Sequence, residues 1–373
     1  MTIRVAVAPP VLTWAISRTD KSVEELKAIS EFRRIEQWLS GGVSPTFKQA
    51  EKLASEASIP FGYLLLEEPV DDMPQIPDFR TLQGRQRRQF STNLETTLND
   101  CIRRLAWYVE FAQDNSIEPP EFVGSFTLTS DPVAAALKFR DLFSWPPTEP
   151  FKGRKAVAVL ADILENNGII VMRSSVVHNH NQRKLDVAEF RGFSLIQDGF
   201  PLIFVNTSDA NSAQLFSLAH ELGHILLAKP GISNNNDHHD VERWCNKFAA
   251  ELLVPTEELV AQLAKTSSVE LVLSWATDRY RVSSEVILWH LVDAGKITRN
   301  QAQQYLSEHA HWEKEERKPS GGDFYKTIRT QLGNRFVDAL GEAFSDGRIT
   351  QRDVGRFIGT EKTRALTRIF SED

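Results

Sequence analysis

Apolar residues recur every three to four positions through most of this chain, which predicts helices, and a few short unbroken apolar runs predict strands. Residues from about 11 to 68 read as a set of short helices. Ser22, with Glu25 three residues on, forms a capping-box pattern at the head of a helix that runs to about Ser30. A second helix is expected over Phe32–Leu39, stopped by Gly41-Gly42. A third starts near Ser44-Pro45-Thr46 and places Phe47, Ala50, Leu53, Ala54 and Ala57 on one face. Glu67–Pro77 is proline-rich and acidic and reads as an exposed linker. From about 86 to 115, Leu94, Leu98, Cys101, Ile102, Leu105, Tyr108 and Val109 keep a helical period over one long element.

Asp131–Phe143 and Arg154–Asn166 read as further helices, and Gly168–Met172 as a strand. Phe193–Gln197 and Leu202–Asn206 read as two more strands, joined by the hairpin signal Asp198-Gly199. A helix follows from about Ala213 to Leu227. A polar loop, Asn234–Asp240, leads to a helix over Val241–Leu253 that Pro255 ends. The remainder reads as helical, with turns at Gly295 and Gly347 and a charged linker at Lys314–Gly322.

The length of 373 residues implies two or three domains. With 41% apolar and 25% charged residues, the chain is not disordered, collagen-like or a coiled-coil rod. Apolar runs such as Ala156–Ala161 fall far short of the about 20 residues of a membrane span. Met1–Pro10 lacks a basic region followed by a long apolar stretch, so no signal peptide is expected. Cys101 and Cys245 are the only cysteines, which gives no disulfide framework and fits a reducing, cytoplasmic location. A net charge of −7 argues against a surface that coats nucleic acid but leaves room for a small DNA-binding module.

The chemistry concentrates at His220-Glu-Leu-Gly-His224. Histidines at i and i+4 share one helix face and can hold one Zn²⁺. Glu221 beside them is placed to take a proton from an attacking water. The bland alternative is a surface helix with two unrelated histidines. Against it, Leu215, Phe216, Leu218, Ala219, Leu222, Ile225 and Leu226 make the helix apolar around the motif, and buried histidines need partners. The strand just upstream ends at Phe204-Val205-Asn206 and is expected to offer its edge to an extended peptide substrate.

A third protein ligand is needed to leave one position for water. The long zinc-protease pattern with a third histidine six residues further on fails, because that position is Pro230. Candidates are His238, His239, Asp240 and Glu242. Glu242 is favoured, with Asp240 or His239 as fallback. With Cys245 and Ala249 it forms a face of mostly small side chains that lets its helix approach the zinc helix closely. Cys245 itself reads as packing rather than as a ligand.

At these residues the sequence resembles the ImmA/IrrE family of zinc metallopeptidases. The resemblance is carried by Pro60-Phe-Gly-Tyr63 with Ile76-Pro-Asp-Phe-Arg80, by Phe190-Arg-Gly-Phe193, and by Pro201–Asn206. Phe216–His224, Glu242-Arg-Trp-Cys-Asn246 and Phe248–Pro255 continue it. It implies zinc on His220, His224 and Glu242, with Glu221 as the base. It also implies regulatory proteolysis in the cytoplasm, since members of the family cleave a helix-turn-helix repressor and so release transcription. Val282–Leu291 and Gly321-Gly-Asp-Phe-Tyr325 resemble the C-terminal helical parts of long members, which are often encoded beside toxin-like partners.

The N-terminal helices resemble a repressor-type (XRE-type) helix-turn-helix, with Trp38 and Pro45-Thr46 in the familiar places. In that reading Phe32–Leu39 is the recognition helix, and Arg33, Arg34 and Gln37 face DNA. Against it, the usual small residue and turn glycine are missing, and Leu26 to Trp38 is short of the usual spacing. Seven basic residues balance seven acidic ones over Arg18–Glu56. The alternative is a helical dimerisation or docking domain. The basic run Arg80, Arg85, Arg87 and Arg88 reads as a solvated helix start, with phosphate contact as the competing reading. His178, His180, Tyr280 and Tyr325 are candidate oxyanion donors that no sequence argument brings to the zinc.

The expected architecture is α+β and mostly helical. A helix-turn-helix-like domain covers 1–70, and a linker with a long connecting helix covers 71–125. A zincin-like metallopeptidase core with a small mixed β-sheet covers 126–264, and a C-terminal helical region covers 265–373. The expected function is zinc-dependent cleavage of a partner protein, a repressor first among the candidates, in the control of transcription: a stress response, a mobile element or a toxin–antitoxin setting. DNA, a toxin and a second copy of the chain are the further candidate partners, and no membrane is expected. The competing class is a non-proteolytic regulator or antitoxin that uses the same fold as a binding module. A purely structural zinc is disfavoured, because such a site has no use for an acid at position 221.

Overall fold

Local capping chemistry fixes where the first helices begin. The structure, a computed structural model, describes residues 3–19, 21–57, 59–70, 90–146, 151, 155–178, 180–233, 240–308, 324–359 and 363–370. These divide into two compact units, residues up to 70 with 90–100, and the described residues from 101 onward.

In the first unit, α1 (Pro9–Ser17) starts on two prolines, which cost nothing where amides have no helical partner anyway. The α2 helix (Val23–Lys27) carries the expected capping box: Glu25 N donates to Ser22 Oγ at 3.2 Å and Ser22 N donates to Glu25 Oε2 at 2.7 Å. The single helix expected over Phe32–Leu39 is instead a 3₁₀ turn, Ser30–Phe32, followed by α3 (Ile35–Leu39). Phe32, Ile35 and Trp38 are all buried at a spacing of three, which a 3₁₀-like path keeps on one side better than an α-helix does. A second capping box, Thr46 with Gln49, starts α4 (Phe47–Glu56). Leu26, Phe32, Ile35 and Leu53 form the centre of this unit's core.

The long helix is α5 (Thr92–Asp114). Its first turns are tied to the end of α1, where Thr92 Oγ1 donates to the Arg18 carbonyl at 2.8 Å and Arg18 pairs with Glu95 at 2.8 Å. The linker expected at Glu67–Pro77 lies outside the described residues from 71 onward. So do the Ile76–Arg80 motif, the basic run from Arg80 to Arg88 and the linker Lys314–Gly322.

The second unit is built around one sheet. The chain runs through α6 (Pro132–Phe143), α7 (Ala156–Asn166), β1 (Ile170–Ser174), a small antiparallel pair of β2 (Val176–Val177) and β3 (His180–Lys184), then β4 (Gly192–Gln197) and β5 (Phe200–Asn206). After α8 (Asn211–Leu226) come β6 (Ile232–Ser233) and α9 (Asp240–Leu253). The four-stranded sheet has the order β1-β5-β4-β6. The β4–β5 hairpin turns on Asp198 (φ 49°) and Gly199 (φ 82°), the two positive φ angles that the tight turn needs. The β1–β5 pair is parallel and the other two are antiparallel, so the sheet is mixed.

This topology corrects one expectation. β5 is hydrogen-bonded on both sides, with Ile203 opposite Val171 of β1 and opposite Ser194 of β4. Phe204, Val205 and Asn206 therefore have no free backbone edge to give a substrate, and all three are buried. A run that is apolar on both faces is the mark of an interior strand.

The helices that follow, α10 (Thr256–Thr266), α11 (Val269–Tyr280), α12 (Ser284–Asp293) and α13 (Arg299–Glu308), extend the core around Leu218, Leu222, Phe248 and Ile287. The last four are α14 (Phe324–Leu332), α15 (Asn334–Ser345), α16 (Gln351–Ile358) and α17 (Thr363–Phe370). Of these, α14 and α15 pack against β1, the terminal strand of the sheet. Arg335 stitches them down: its Nε donates to Tyr108 Oη at 2.7 Å and its Nη1 to the Glu165 carbonyl at 2.9 Å. No helix among the described residues is long and apolar enough to cross a membrane.

The Glu165 carboxyl is buried at the start of α15, accepting from Arg335 N at 3.3 Å and Asn334 Nδ2 at 3.2 Å. Burial pushes its pKa up to about 7, against the lowering effect of the Arg335 amide and of Arg173. Between the ordinary carboxyl range and pH 7 the unfolded chain has lost this proton and the folded chain keeps it. Stability from this group is therefore full below the ordinary range and is lost as pH rises through about 7, by about 3 kcal/mol in total. Urea denaturation at pH 5 and pH 8 is expected to show a larger loss for the wild type than for Glu165→Gln. Equal losses in the two proteins would refute the assignment.

Candidate metal centre

The α8 helix is buried all round from Ser217 to Leu227, so its polar side chains must find partners inside the protein. His220 is 5% and His224 2% exposed, and Glu221 is fully buried. The i, i+4 spacing brings the two imidazoles together, with Nε2 atoms 3.1 Å apart. Glu242, in the first turn of α9, meets both: Oε2 lies 3.0 Å from His220 Nε2 and Oε1 3.1 Å from His224 Nε2. Their donor atoms all lie within 4.8 Å of one another, and they form the metal-capable group of His, Cys, Asp and Glu found among the described residues.

The helices can close this far because of one residue. A Cβ on Gly223 would stand 3.1 Å from Cys245 Sγ and 3.2 Å from Cys245 Cα, so α8 and α9 touch backbone to backbone there. Gly192 does the same on the sheet side: a Cβ there would meet the Phe204 carbonyl at 3.0 Å and Glu221 Oε1 at 3.2 Å. Close approach, rather than backbone freedom, is what favours glycine at both places, since neither has a positive φ. Sequence reasoning missed both, although Arg191-Gly192 at a strand start and the glycine inside the histidine motif were the available signals.

His224 Nδ1 donates to the Lys229 carbonyl at 2.8 Å, since a carbonyl can only accept; the ring is thereby oriented with Nε2 towards Glu242. His220 Nδ1 makes no hydrogen bond among the described residues. Burial would raise the Glu242 carboxyl, but the hydrogen bonds from the two histidines outweigh it and hold the group far below the usual carboxylate range. Burial would lower His224, but Cys245, Glu242 and Glu221 around it push it well above its ordinary value. Burial pushes the Cys245 thiol up. The pattern is that of a carboxylate and two imidazoles held together by shared protons, which a divalent cation can replace.

The donor set fits such an ion. Two nitrogens and a carboxylate suit zinc, with bonds of about 2.0–2.2 Å, and the corners of a tetrahedron of that size stand about 3.3 Å apart. The 3.0–3.1 Å separations of the three donors come close to that spacing.

The other expected residues fall elsewhere. Asp240 is exposed and pairs with Arg243 at 3.1 Å, outside the cluster, and His238 and His239 lie outside the described residues. Asn206 is a structural tie: its Nδ2 donates to the Phe190 carbonyl at 3.2 Å and its Oδ1 accepts from Ser208 N at 3.0 Å. Phe204 stacks on Phe193 at 5.0 Å between centroids. His178 is exposed in the β2–β3 turn, and neither Asn179 nor the His180 side chain is among what is described. Tyr280 donates to Glu258 at 2.5 Å and burial pushes its hydroxyl up to about 12, so it is committed away from the metal cluster. Tyr325 lies on α14 beneath the Arg368 guanidinium. In the first unit Arg33, Arg34 and Gln37 are exposed around the short α3.

A buried pair of helical histidines joined by a carboxylate from the next helix, with a glutamate at the following position, is the donor arrangement of a metallopeptidase. Residues 165–291 match the peptidase family described as the IrrE N-terminal-like domain (Peptidase_M78), and the match supports the ImmA/IrrE family for this part of the 373-residue chain. The span takes in β1 to β6, both metal-centre helices and most of α12. No curated protein matches the chain.

Proposed function

We propose that this chain is a zinc-dependent endopeptidase of regulatory type, which cleaves a DNA-binding repressor or a similar partner protein in the control of transcription. The observation that carries the reading is the convergence of His220, His224 and Glu242 beside Glu221, inside the span that matches a peptidase family. His220, His224 and Glu242 would hold Zn²⁺, which when bound supplies Lewis acidity to a peptide carbonyl and acidifies water. Glu221 takes the proton of the attacking water and hands it to the leaving amine nitrogen. Gly192 keeps the β4 backbone clear of the Glu221 carboxylate. With β5 interior, the edge among the described residues that can align an extended substrate is that of β6 and of β4 beyond Ser194, whose amide already donates to the Gly231 carbonyl.

The repressor substrate and a toxin partner rest on the resemblance to ImmA/IrrE proteins; the cytoplasmic setting rests on it and on the sparse cysteines, and a second copy of the chain on the reading of the N-terminal helices as a dimerisation domain. The exposure of Arg33, Arg34 and Gln37 supports contact with DNA, though the five-residue α3 is short for a recognition helix. A second reading, a non-proteolytic regulator or antitoxin, is favoured by the complete burial of Glu221, which shields the base from water in this state.

Metal content by mass spectrometry on the full chain, purified without chelator, tests the enzyme reading. About one zinc per chain is expected, lost or sharply reduced in His220→Ala. A wild type that carries no metal would overturn the reading.

A further inference from the structure

Exposure along α8 is confined to its first half. Asn211, Ser212, Ala213 and Phe216 are partly exposed, whereas Gln214, Leu215 and every residue from Ser217 to Leu227 are buried. Phe216 stands four residues before His220, so the two share a helix face. Their ring centroids are 6.3 Å apart and the planes are tilted by 35°. Side chains on a helix lean towards its start, so the Phe216 ring lies over the turn that carries Ser212 and Ala213. Both of those side chains are small, and α8 itself leaves the ring open. The inner side of the ring packs on the core of the second unit, which fixes it in place.

The metal cluster has its open side in the same direction. The Glu242 and His220 side chains keep 15% and 7% exposure, against 3% for His224, whose ring is tied to the Lys229 carbonyl. A substrate therefore reaches the three donors from the side of His220 and Glu242, and Phe216 flanks His220 there. An apolar wall beside a few convergent polar groups is the make-up of a ligand site. A peptide bond brought to the cluster carries a side chain on each flank, and an apolar one gains by covering the ring.

We propose that Phe216 determines specificity at this site: its ring is the wall against which a substrate side chain next to the cleaved bond packs, and it selects a bulky apolar residue over a small or charged one. The proposal rests on the reading of the cluster as a zinc peptidase, and it narrows the substrate to a protein with such a residue at the point of cleavage.

The test needs no knowledge of the natural substrate. A hydroxamate chelates zinc through two oxygens and carries one side chain past the metal. The full chain, loaded with zinc, is titrated with acetohydroxamic acid, 3-phenylpropanohydroxamic acid and 6-aminohexanohydroxamic acid. The phenyl compound is expected to bind about tenfold more tightly than either of the others. In Phe216→Gln that advantage is expected to disappear, with zinc content, circular dichroism and acetohydroxamate affinity unchanged. Position 216 is partly exposed and glutamine is a good helix former, so this variant is expected to fold. Phe216→Met, which keeps an apolar wall, is expected to retain most of the advantage. A Phe216 that served packing alone would leave the ratio of affinities unmoved. Equal affinities for the three compounds in the wild type, tightest binding of the amino compound, or an undiminished advantage in Phe216→Gln would overturn this proposal and leave the peptidase reading standing. A wild type that takes up no zinc, or that binds no hydroxamate when loaded, would overturn both.

Discussion

Glu221→Gln is expected to lower turnover of a cleaved substrate by about 10²–10⁴-fold, the usual worth of a positioned general base. The substitution keeps the size and shape of the side chain, so the close contact with Gly192 is undisturbed. Glutamine has no basic oxygen at working pH, and nothing within the cluster replaces it, since His220 and His224 face Glu242. Because position 221 is not one of the three clustered donors, metal content is expected to stay at the wild-type level. The measurement pairs a cleavage assay on the partner protein with metal analysis of the same sample. Loss of cleavage and of transcriptional control with metal retained supports catalysis. Full regulation by Glu221→Gln would instead establish the binding-module reading.

Glu242→Ala is expected to affect both metal and stability. The carboxylate bridges two buried imidazoles, and removing one member of a buried charged cluster typically costs about 3–5 kcal/mol. Here the loss leaves His220 and His224 facing each other across 3.1 Å without their acceptor. It also removes one of three protein donors, so metal is expected to fall to a small fraction of one ion per chain. Thermal denaturation with and without added chelator separates the two effects. Chelator is expected to lower the wild-type midpoint and to leave that of Glu242→Ala nearly unmoved. An unchanged metal content in Glu242→Ala would exclude this residue as a ligand.

Much of the helical architecture was legible in the sequence because it rests on short-range rules. The capping box Ser22/Glu25 marks one helix start within a residue, Ser44-Pro45-Thr46 marks another, and the 3.6 period traces α5, α6 and α8. His220 and His224 were legible for the same reason, since i, i+4 fixes their common face. Glu242 was within reach through the small face it shares with Cys245 and Ala249, which Gly223 meets.

What depends on distant pairing was not legible. The partners Ile170 and Leu202 are 32 positions apart, and no local pattern states that β1 runs parallel to β5. β5 therefore read as an available edge although it is interior. The β2–β3 pair also escaped notice, because His180–Lys184 is polar throughout and carries no alternation. The break at Ser30–Phe32 was hidden because apolar residues spaced by three fit an α-helix nearly as well as a 3₁₀ turn.

The packing of α14 and α15 on β1 has a consequence in time. Synthesis delivers about 5–20 residues per second, so the segment from residue 324 follows β5 out of the ribosome on the order of ten seconds later. Through that interval the terminal strand of the sheet and the Glu165 carboxyl await the helices that cover them. A nascent chain with an uncovered strand and an unsatisfied buried acid is a target for misassembly with its neighbours. The α14 and α15 helices thus act as the lock on a sheet completed well before they exist, and safe production of the folded sheet depends on their arrival.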